Sequence, residues 1–320
     1  MVAQRSLSNS ESTALSMVRV FAMILIISCH IAQYYNLQIA YILNVGVQIF
    51  FFMSGFLYGK QEQMPSVKEF YLKRFARVYI PYFVLLAIIL AVYAIFNLIS
   101  FSLKQVLFYL LSLQWFVAPI EGLNHLWFLT VLMFGYLLTP WIKRAMGKAP
   151  IICALLFVCC CVVEFVFLKK FYSLSAWLAL YLLGIFYGKY HSKTVSAIAL
   201  VVSSIALIVL CLFFEPSKLT SFEARHYMIW LHCTLGVFLF ALLYYVLPLL
   251  IGENKSFDGI KHLDKISYEV YLIHHPLILG PLSLMFVTKV AGLNIVLMLV
   301  VVYLLARALN YICSFTKKMV

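Results

Sequence analysis

The stretch ALSMVRVFAMILIISCHIAQYY, residues 14–35, decides the class of fold of this chain. About 20 consecutive apolar residues are enough to cross a lipid bilayer as an α-helix, so this stretch predicts a transmembrane helix. It also holds two residues that can carry a charge, Arg19 and His30. A charge inside a membrane is costly, so such residues usually have a partner or a function there.

Arg19 and His30 are 11 positions apart on the same predicted helix. Eleven positions of an α-helix return a side chain to nearly the same direction, about 16 Å further along the axis. One face then carries a permanent cation at one depth and a titratable imidazole at another, which suits one bound molecule with an anionic end and a reacting end. The alternative is that Arg19 extends to the lipid headgroups and His30 is a hydrogen-bonded packing residue.

The composition of the whole chain extends this prediction to a polytopic membrane protein with an all-α fold. The mean hydropathy is +1.02 over 320 residues. Only 11% of the residues are charged, against about 25% in soluble domains. The net charge of +13 is dispersed among the loops and forms no basic stripe, which argues against a nucleic-acid partner. All eight cysteines fall in apolar spans, where we interpret them as small buried hydrophobes rather than as a disulfide framework. The sequence has no Cys-x-x-Cys pair with nearby histidines, so it does not predict a zinc site.

A pass along the chain predicts a single membrane domain over residues 1–320, with a tail at 1–13, a bundle at 14–313 and a tail at 314–320. The apolar stretches predict about ten spans: 14–35, 38–58, 76–98, 124–142, 150–168, 173–188, 194–214, 227–251, 266–287 and 290–313. The segment 102–118 is apolar on one face but short for a span. We therefore expect an interfacial or re-entrant helix there.

The distribution of Lys and Arg predicts the orientation. With the N-terminus inside, 16 of these residues fall in inner segments and 6 in outer ones. Positive residues accumulate on the cytoplasmic side, so both termini are expected in the cytoplasm of a cell-membrane protein. Arg19 then lies in the inner third of its span and His30 toward the outer half.

Polar residues in four other segments are candidates for the site or for packing. Arg74 and Arg77 are three apart at the cytoplasmic start of the third span, where a guanidinium pair suits phosphate; an ordinary basic flank is the alternative. In the second span, Gln48 needs a polar partner and Gly55 favours close helix packing. The remaining candidates, which could bind substrate or form a structural hydrogen-bond network, are His125, Trp127, Ser267, Tyr271 and His274. No role is assigned to Glu164, whose plausible neighbour is Lys169, or to Glu269.

Five motifs in order resemble the membrane-bound acyltransferase family 3, the integral-membrane O-acyltransferases that modify sugars and surface polymers. They are the Arg19/His30 spacing, GVQIFFFMSGFL (46–57), KRFARVYIPY (73–82), HLWFLTVLMFGYLLTP (125–140) and ISYEVYLIHHP (266–276). The resemblance covers residues 14 to about 310, and His274 falls at the family's late histidine. Many members have Asp where this chain has Gln48, so an acidic role is not carried over to that position.

The resemblance implies a donor, an acceptor and residue roles. The donor would be cytoplasmic acyl-CoA, usually acetyl-CoA, with its phosphates on Arg74 and Arg77. The acceptor would be a hydroxyl of a sugar or cell-surface glycan, with His30 as general base or as acyl carrier. Arg19 would bind the donor or orient the site. Proteins of polysaccharide biosynthesis or export would be possible partners.

Two other functions fit a bundle with buried polar residues. A glycan exporter or flippase is one, although the sequence has no inverted repeat and no pair of broken helices. A non-catalytic membrane component of a polysaccharide assembly system is the other, and it would not need both Arg19 and His30.

Overall fold

The computed structural model describes residues 7–167, 174–212, 222–251 and 257–317, and these residues contain no β-strand. Their α-helices, numbered in chain order, are α1 (Asn9–Tyr34), α2 (Ala40–Leu43), α3 (Val45–Lys60), α4 (Val67–Arg74), α5 (Ile80–Ile95), α6 (Leu103–Leu110), α7 (Trp127–Lys148), α8 (Pro150–Phe167), α9 (Leu174–Lys189), α10 (Lys193–Leu212), α11 (Phe222–Ile251), α12 (Asp258–His274), α13 (Pro276–Leu279) and α14 (Ala291–Lys317). A π-helical turn, Phe75–Tyr79, joins α4 to α5. Two 3₁₀ turns, Gln114–Phe116 and Asn124–Leu126, precede α7.

Among the described residues, seven helical segments are long and apolar enough to cross a membrane: Asn9–Tyr34, Ala40–Lys60, Val67–Ile95, Asn124–Lys148, Lys193–Leu212, Tyr227–Ile251 and Ala291–Ser314. The all-helical membrane class is therefore confirmed. The predicted total of about ten spans is not confirmed. The fifth and sixth predicted spans correspond to shorter apolar helices, Pro150–Glu164 and Leu174–Lys189.

The predicted ninth span, 266–287, is wrong as a single helix. Helix α12 begins earlier, at Asp258, and ends at His274, and only the four residues of α13 are α-helical between it and Ala291. Pro276 explains the break, because proline lacks the N–H that would continue the helical hydrogen bonds and its ring clashes with the preceding turn. The break places two adjacent histidines at the end of α12.

The chain divides into two compact units. The first comprises residues 1–26, 42–64 and 138–261, and the second comprises residues 27–41, 65–137 and 262–320. Helices α1, α2, α7 and α12 contribute residues to both.

The first unit is built on a close contact between α3 and α9, made by the glycines of two Gly-x-x-x-Gly patterns: Gly55, Gly59, Gly184 and Gly188. A Cβ atom on Gly55 would lie 2.0 Å from the carbonyl oxygen of Tyr181, and one on Gly188 would lie 2.2 Å from that of Phe56. Small residues of this kind let two membrane helices approach to backbone contact. The close approach predicted at Gly55 is confirmed, and the contacts advance in the same direction along both helices, which are therefore parallel.

Lysine side chains join the C-terminal ends of three helices in the first unit. The Lys143 Nζ atom, on α7, donates to the carbonyl oxygens of Gln61 at 2.6 Å and Gly59 at 3.4 Å, just at the end of α3. Lys189, at the end of α9, donates to the carbonyl oxygen of Met146 at 2.6 Å. Cations are favourable beside the unpaired carbonyls of a helix C-terminus. The C-terminal ends of α3, α7 and α9 therefore lie at one end of this unit.

In the second unit, α6 and the chain after it form a hairpin beside α5. The Tyr93 hydroxyl, near the C-terminal end of α5, donates to the carbonyl oxygen of Glu121 at 3.3 Å. The Tyr82 hydroxyl, about 16 Å earlier along α5, donates to that of Tyr109 at 2.6 Å. The hairpin thus descends from the level of Tyr93 to that of Tyr82 and returns. Of the two alternatives for 102–118, these contacts fit the re-entrant one, and α6, with eight residues, is too short to cross.

Candidate active site

Four histidine rings meet in the second unit, and we call them the histidine cluster: His30, His125, His274 and His275. The centroid of the His275 ring lies 4.6 Å from that of His30 and 4.7 Å from that of His125. The centroid of the His274 ring lies 5.2 Å from that of His30 and 5.1 Å from that of His125. The structure thus brings together three residues that the sequence singled out separately, from α1, from the turn before α7 and from the end of α12.

Backbone carbonyls fix three of these rings. The bonds run from His125 Nε2 to Leu272 O at 3.2 Å, from His274 Nδ1 to Tyr271 O at 2.7 Å and from His275 Nδ1 to Gly122 O at 2.9 Å. A carbonyl only accepts, so each of these nitrogens carries the hydrogen, and in a neutral ring the other nitrogen holds a lone pair. Within the described part of the chain, the buried atoms His125 Nδ1 and His274 Nε2 have no hydrogen-bond partner. The cluster therefore presents acceptors, which suit a ligand that brings hydroxyl groups.

His30 differs from the other three histidines because its side chain is half-buried rather than buried. Its Nδ1 atom lies 2.7 Å from Oε1 of Gln33, one helical turn further along α1. The amide oxygen can only accept, so Nδ1 carries the hydrogen and Nε2 holds the lone pair. His30 is thus held in the tautomer that can take a proton at Nε2, and it is reachable from outside the protein core.

Other polar residues of α12 support the cluster or lie away from it. The Tyr271 hydroxyl donates to the carbonyl oxygen of His125, which joins α12 to the start of α7. The Ser267 hydroxyl donates to the carbonyl oxygen of Asp264 on its own helix, about two turns before the cluster. Glu269, buried, accepts from Asn310 of α14 at 2.8 Å. All three of these side chains are buried.

Sequence reasoning assigned no role to His275. In a continuous helix its side chain would point about 100° away from that of His274. The turn before Pro276 gives both rings access to the cluster, with their centroids 6.2 Å apart and their planes at 84°. The available signal was the His-His-Pro sequence inside an apolar stretch, since two adjacent histidines are costly there without a purpose.

A cavity of the same unit lies beside Arg74 and has a volume of about 330 Å³. Arg74 lines it, and its guanidinium carbon lies 5.8 Å from the centroid of the Tyr136 ring. Arg77 is exposed and is not among the residues that line this cavity. The helical spacing expected of the two arginines does not hold, because Arg77 lies in the π-helical turn that begins at Phe75.

The remaining predicted residues have separate environments. Arg19 is half-buried on α1, in the first unit. The Trp127 ring packs edge-on against that of Trp115 at 5.3 Å, so it braces the re-entrant hairpin against α7. Gln48 is buried against Gly236, and among the described residues its Oε1 atom has no hydrogen-bond partner.

Glu164 is buried and accepts from the Ser175 hydroxyl and from the backbone N–H of Ala176 at 3.1 Å. These bonds join α8 to the start of α9. Its expected neighbour, Lys169, lies outside the described residues.

The arrangement of the cluster suits proton transfer to an imidazole. In the described ranges, no group of three or more His, Cys, Asp or Glu residues has the geometry to hold a metal ion. Rings that are fixed by carbonyls and hold free lone pairs can accept protons from a hydroxyl nucleophile. An imidazole that accepts a proton from a hydroxyl nucleophile is the arrangement that many group-transfer enzymes use.

Comparison with known families gives the chain its place in that class. Residues 13–315 match the family model of acyltransferase family 3, described as an acyltransferase domain. The chain therefore belongs to acyltransferase family 3 and is a membrane acyltransferase. No curated protein and no solved structure matched the chain.

Proposed function

We propose that this protein transfers an acyl group, most simply acetyl, from cytoplasmic acyl-CoA to a hydroxyl group of a sugar or cell-surface glycan. The observation that carries the proposal is the histidine cluster, whose buried acceptor nitrogens His125 Nδ1 and His274 Nε2 lack a partner in the described ranges. A sugar brings several hydroxyl donors, one for attack and others for binding. Proteins of polysaccharide assembly or export would be its partners.

His30 acts as the general base in this proposal. Its Nε2 atom takes the proton of the acceptor hydroxyl while the oxygen attacks the thioester carbonyl. The carbon–sulfur bond then breaks, and the proton passes from His30 to the leaving thiolate, so the products are an ester and free CoA. Support comes from the fixed tautomer of His30 and from its partial exposure, which gives substrate access. A positioned general base contributes about 10²- to 10⁴-fold to the rate.

Arg74 binds a phosphate group of the donor in this proposal, because it lines the cavity described above and Arg77 does not. A guanidinium offers planar paired donors to phosphate and stays charged. Arg77, exposed one turn later, is available to a further phosphate outside the cavity. Arg19 remains a candidate for orienting the donor or the site.

We place the protein in the plasma membrane with both termini in the cytoplasm. The distribution of Lys and Arg in the sequence supports this orientation. Lys143 contacts Gln61 at the end of α3, which supports a position of both residues on the same side of the membrane. The chain between them then crosses the membrane an even number of times. The two long segments Val67–Ile95 and Asn124–Lys148 supply an even number only if 102–118 does not cross.

The test is transfer of labelled acetyl from acetyl-CoA by the purified protein reconstituted with membranes from its own host. His30→Ala should lower turnover by at least about 100-fold, with the amount of folded protein nearly unchanged. His262→Ala is the matched control, because His262 lies in the same unit but contacts Tyr303 instead of the cluster. Retention of more than about a tenth of wild-type turnover by His30→Ala would exclude the general-base role. Glycan export that persists without any acetyl transfer would favour the transport alternative.

A further inference from the structure

The tip of the re-entrant hairpin is irregular backbone at depth in the second unit. Helix α6 ends at Leu110, and residues 111–113, before the 3₁₀ turn, are not helical. Non-helical backbone at membrane depth occurs where it is buried in protein or lines a cavity that holds water or a ligand. Leu111, Ser112 and Leu113 line the cavity beside Arg74, so this tip forms one wall of a ligand-sized space.

Ser112 is the unusual residue of this tip. Its φ angle is +54°, in the left-handed region that non-glycine residues seldom adopt. Its side chain is 2% exposed, and within the described part of the chain its Oγ atom has no hydrogen-bond partner. The left-handed conformation belongs to the C-cap of α6, where the Leu113 N–H donates to the carbonyl oxygen of Phe108 at 2.7 Å and the Ser112 N–H donates to that of Tyr109 at 2.9 Å. A buried hydroxyl without a partner is unfavourable. This hydroxyl therefore indicates that a ligand bonds to Ser112.

The walls of the cavity restrict what that ligand is. Arg74 supplies a cation, and aromatic rings such as Phe75 and Phe134 supply apolar surface. The volume of about 330 Å³ lies at the small end of the range for ligand pockets. A narrow, largely apolar space with one cation and one hydroxyl suits a slender chain that carries amide groups and ends in a phosphate.

The cavity leads from Arg74 toward the histidine cluster along α7. The Tyr71 hydroxyl, one turn before Arg74, donates to the carbonyl oxygen of Leu137 and so marks the level of the arginine. From Leu137 to His125 the helical rise is about 18 Å. Thr130, which lines the cavity, lies between these levels. The pantetheine arm of CoA has twelve bonds between its phosphate oxygen and its sulfur, about 14 Å when extended. A phosphate on the long Arg74 side chain would therefore leave the sulfur close to the cluster.

We propose that this cavity holds the pantetheine arm of the acyl-CoA donor and that the Ser112 hydroxyl hydrogen-bonds an amide of that arm. The inference rests on the proposed function, because it assumes that the donor is acyl-CoA. It adds a binding residue on the re-entrant hairpin and assigns the hairpin tip to donor binding.

Binding measurements on the full-length protein in nanodiscs test this assignment without knowledge of the acceptor. The probes are CoA, pantetheine and adenosine 3′,5′-bisphosphate, which carries the nucleotide end alone. Ser112→Gly removes the hydroxyl, and glycine tolerates the left-handed conformation. This variant should weaken the binding of CoA and of pantetheine by the same factor, about 3- to 10-fold. The affinity for the bisphosphate should stay unchanged. Ser112→Asn, which also tolerates this conformation and partly fills the cavity, should weaken the same two probes.

Asn97→Gly is the matched control, because Asn97 also has a positive φ, +49°, but is exposed at the end of α5. It should leave all three affinities unchanged. The pantetheine assignment would be overturned if Ser112→Gly left CoA binding unchanged, or if it weakened binding of the bisphosphate as much as binding of CoA. The proposal that the donor is acyl-CoA would survive either result. If the wild-type protein bound none of the probes, the proposed donor itself would be overturned.

Discussion

Gln33 is the residue whose removal tests how His30 is positioned. Its Oε1 atom lies 2.7 Å from His30 Nδ1 and is the partner that fixes the hydrogen on that nitrogen. Gln33→Ala would leave the imidazole free to populate both tautomers and to rotate. A hydrogen bond of this kind contributes about 0.5–1.5 kcal/mol, which corresponds to a fall in kcat of about 2- to 12-fold. The KM for acetyl-CoA should stay unchanged, because Gln33 contacts the base rather than the donor.

The assay is initial-rate acetyl transfer over a range of acetyl-CoA concentrations, with Gln38→Ala as the control at a nearby exposed glutamine. Gln33→Glu should retain activity, because a carboxylate accepts the same hydrogen more strongly. A double variant with His30→Ala should be no slower than His30→Ala alone, because Gln33 acts through His30. Additive losses in the double variant would refute this reasoning and would indicate that Gln33 binds the substrate itself.

Three further predictions concern the donor site, the helix contact and the topology. Arg74→Ala should weaken CoA binding at least about 10-fold, and Arg74→Lys should restore it only in part. Arg77→Ala should have a smaller effect, because solvent screens its exposed guanidinium. Equal losses of CoA affinity in the two alanine variants would contradict the assignment of the cavity. Gly184→Val should sharply reduce the yield and melting temperature of the folded protein, since its Cβ would lie 2.2 Å from the carbonyl oxygen of Phe52, while Gly147→Val, with nothing within 4 Å, should not. In a cysteine-depleted background, Glu121→Cys should react with an impermeant reagent from outside the cell and Lys148→Cys should not, and the reverse pattern would reject the proposed orientation.

The sequence predicted the parts of the site that depend on local pattern. The first helix follows from the apolar stretch 14–35, since length and composition alone define a membrane helix. His30, His125 and His274 could be selected because histidine is costly inside a membrane. Their meeting could not be derived from single-helix patterns, because it depends on how α1, α7 and α12 pack in three dimensions.

The elements that the sequence did not predict are breaks in regular helix. The π-helical turn at Phe75–Tyr79 has no periodicity signal, because one irregular turn leaves the apolar pattern of a long helix almost unchanged. The re-entrant hairpin was left open between two alternatives, because its depth is fixed by contacts of Tyr82 and Tyr93 with distant residues. The ninth helix was extended past Pro276, although a proline in an apolar pattern is evidence for a helix end.

The charge state of the histidine cluster also bears on the proposed mechanism. Two imidazolium rings with centroids 4.6 Å apart, the separation of His30 and His275, would repel by roughly 3–4 kcal/mol at an effective dielectric constant of 20. The cluster is therefore stable with at most one extra proton. A proton that His30 takes from the acceptor hydroxyl must leave before the next turnover, and the thiolate of CoA is the group that needs it. A thiolate is a stronger base than a neutral imidazole, so the leaving group takes the first proton, and the repulsion between charged rings limits the cluster to one proton at a time.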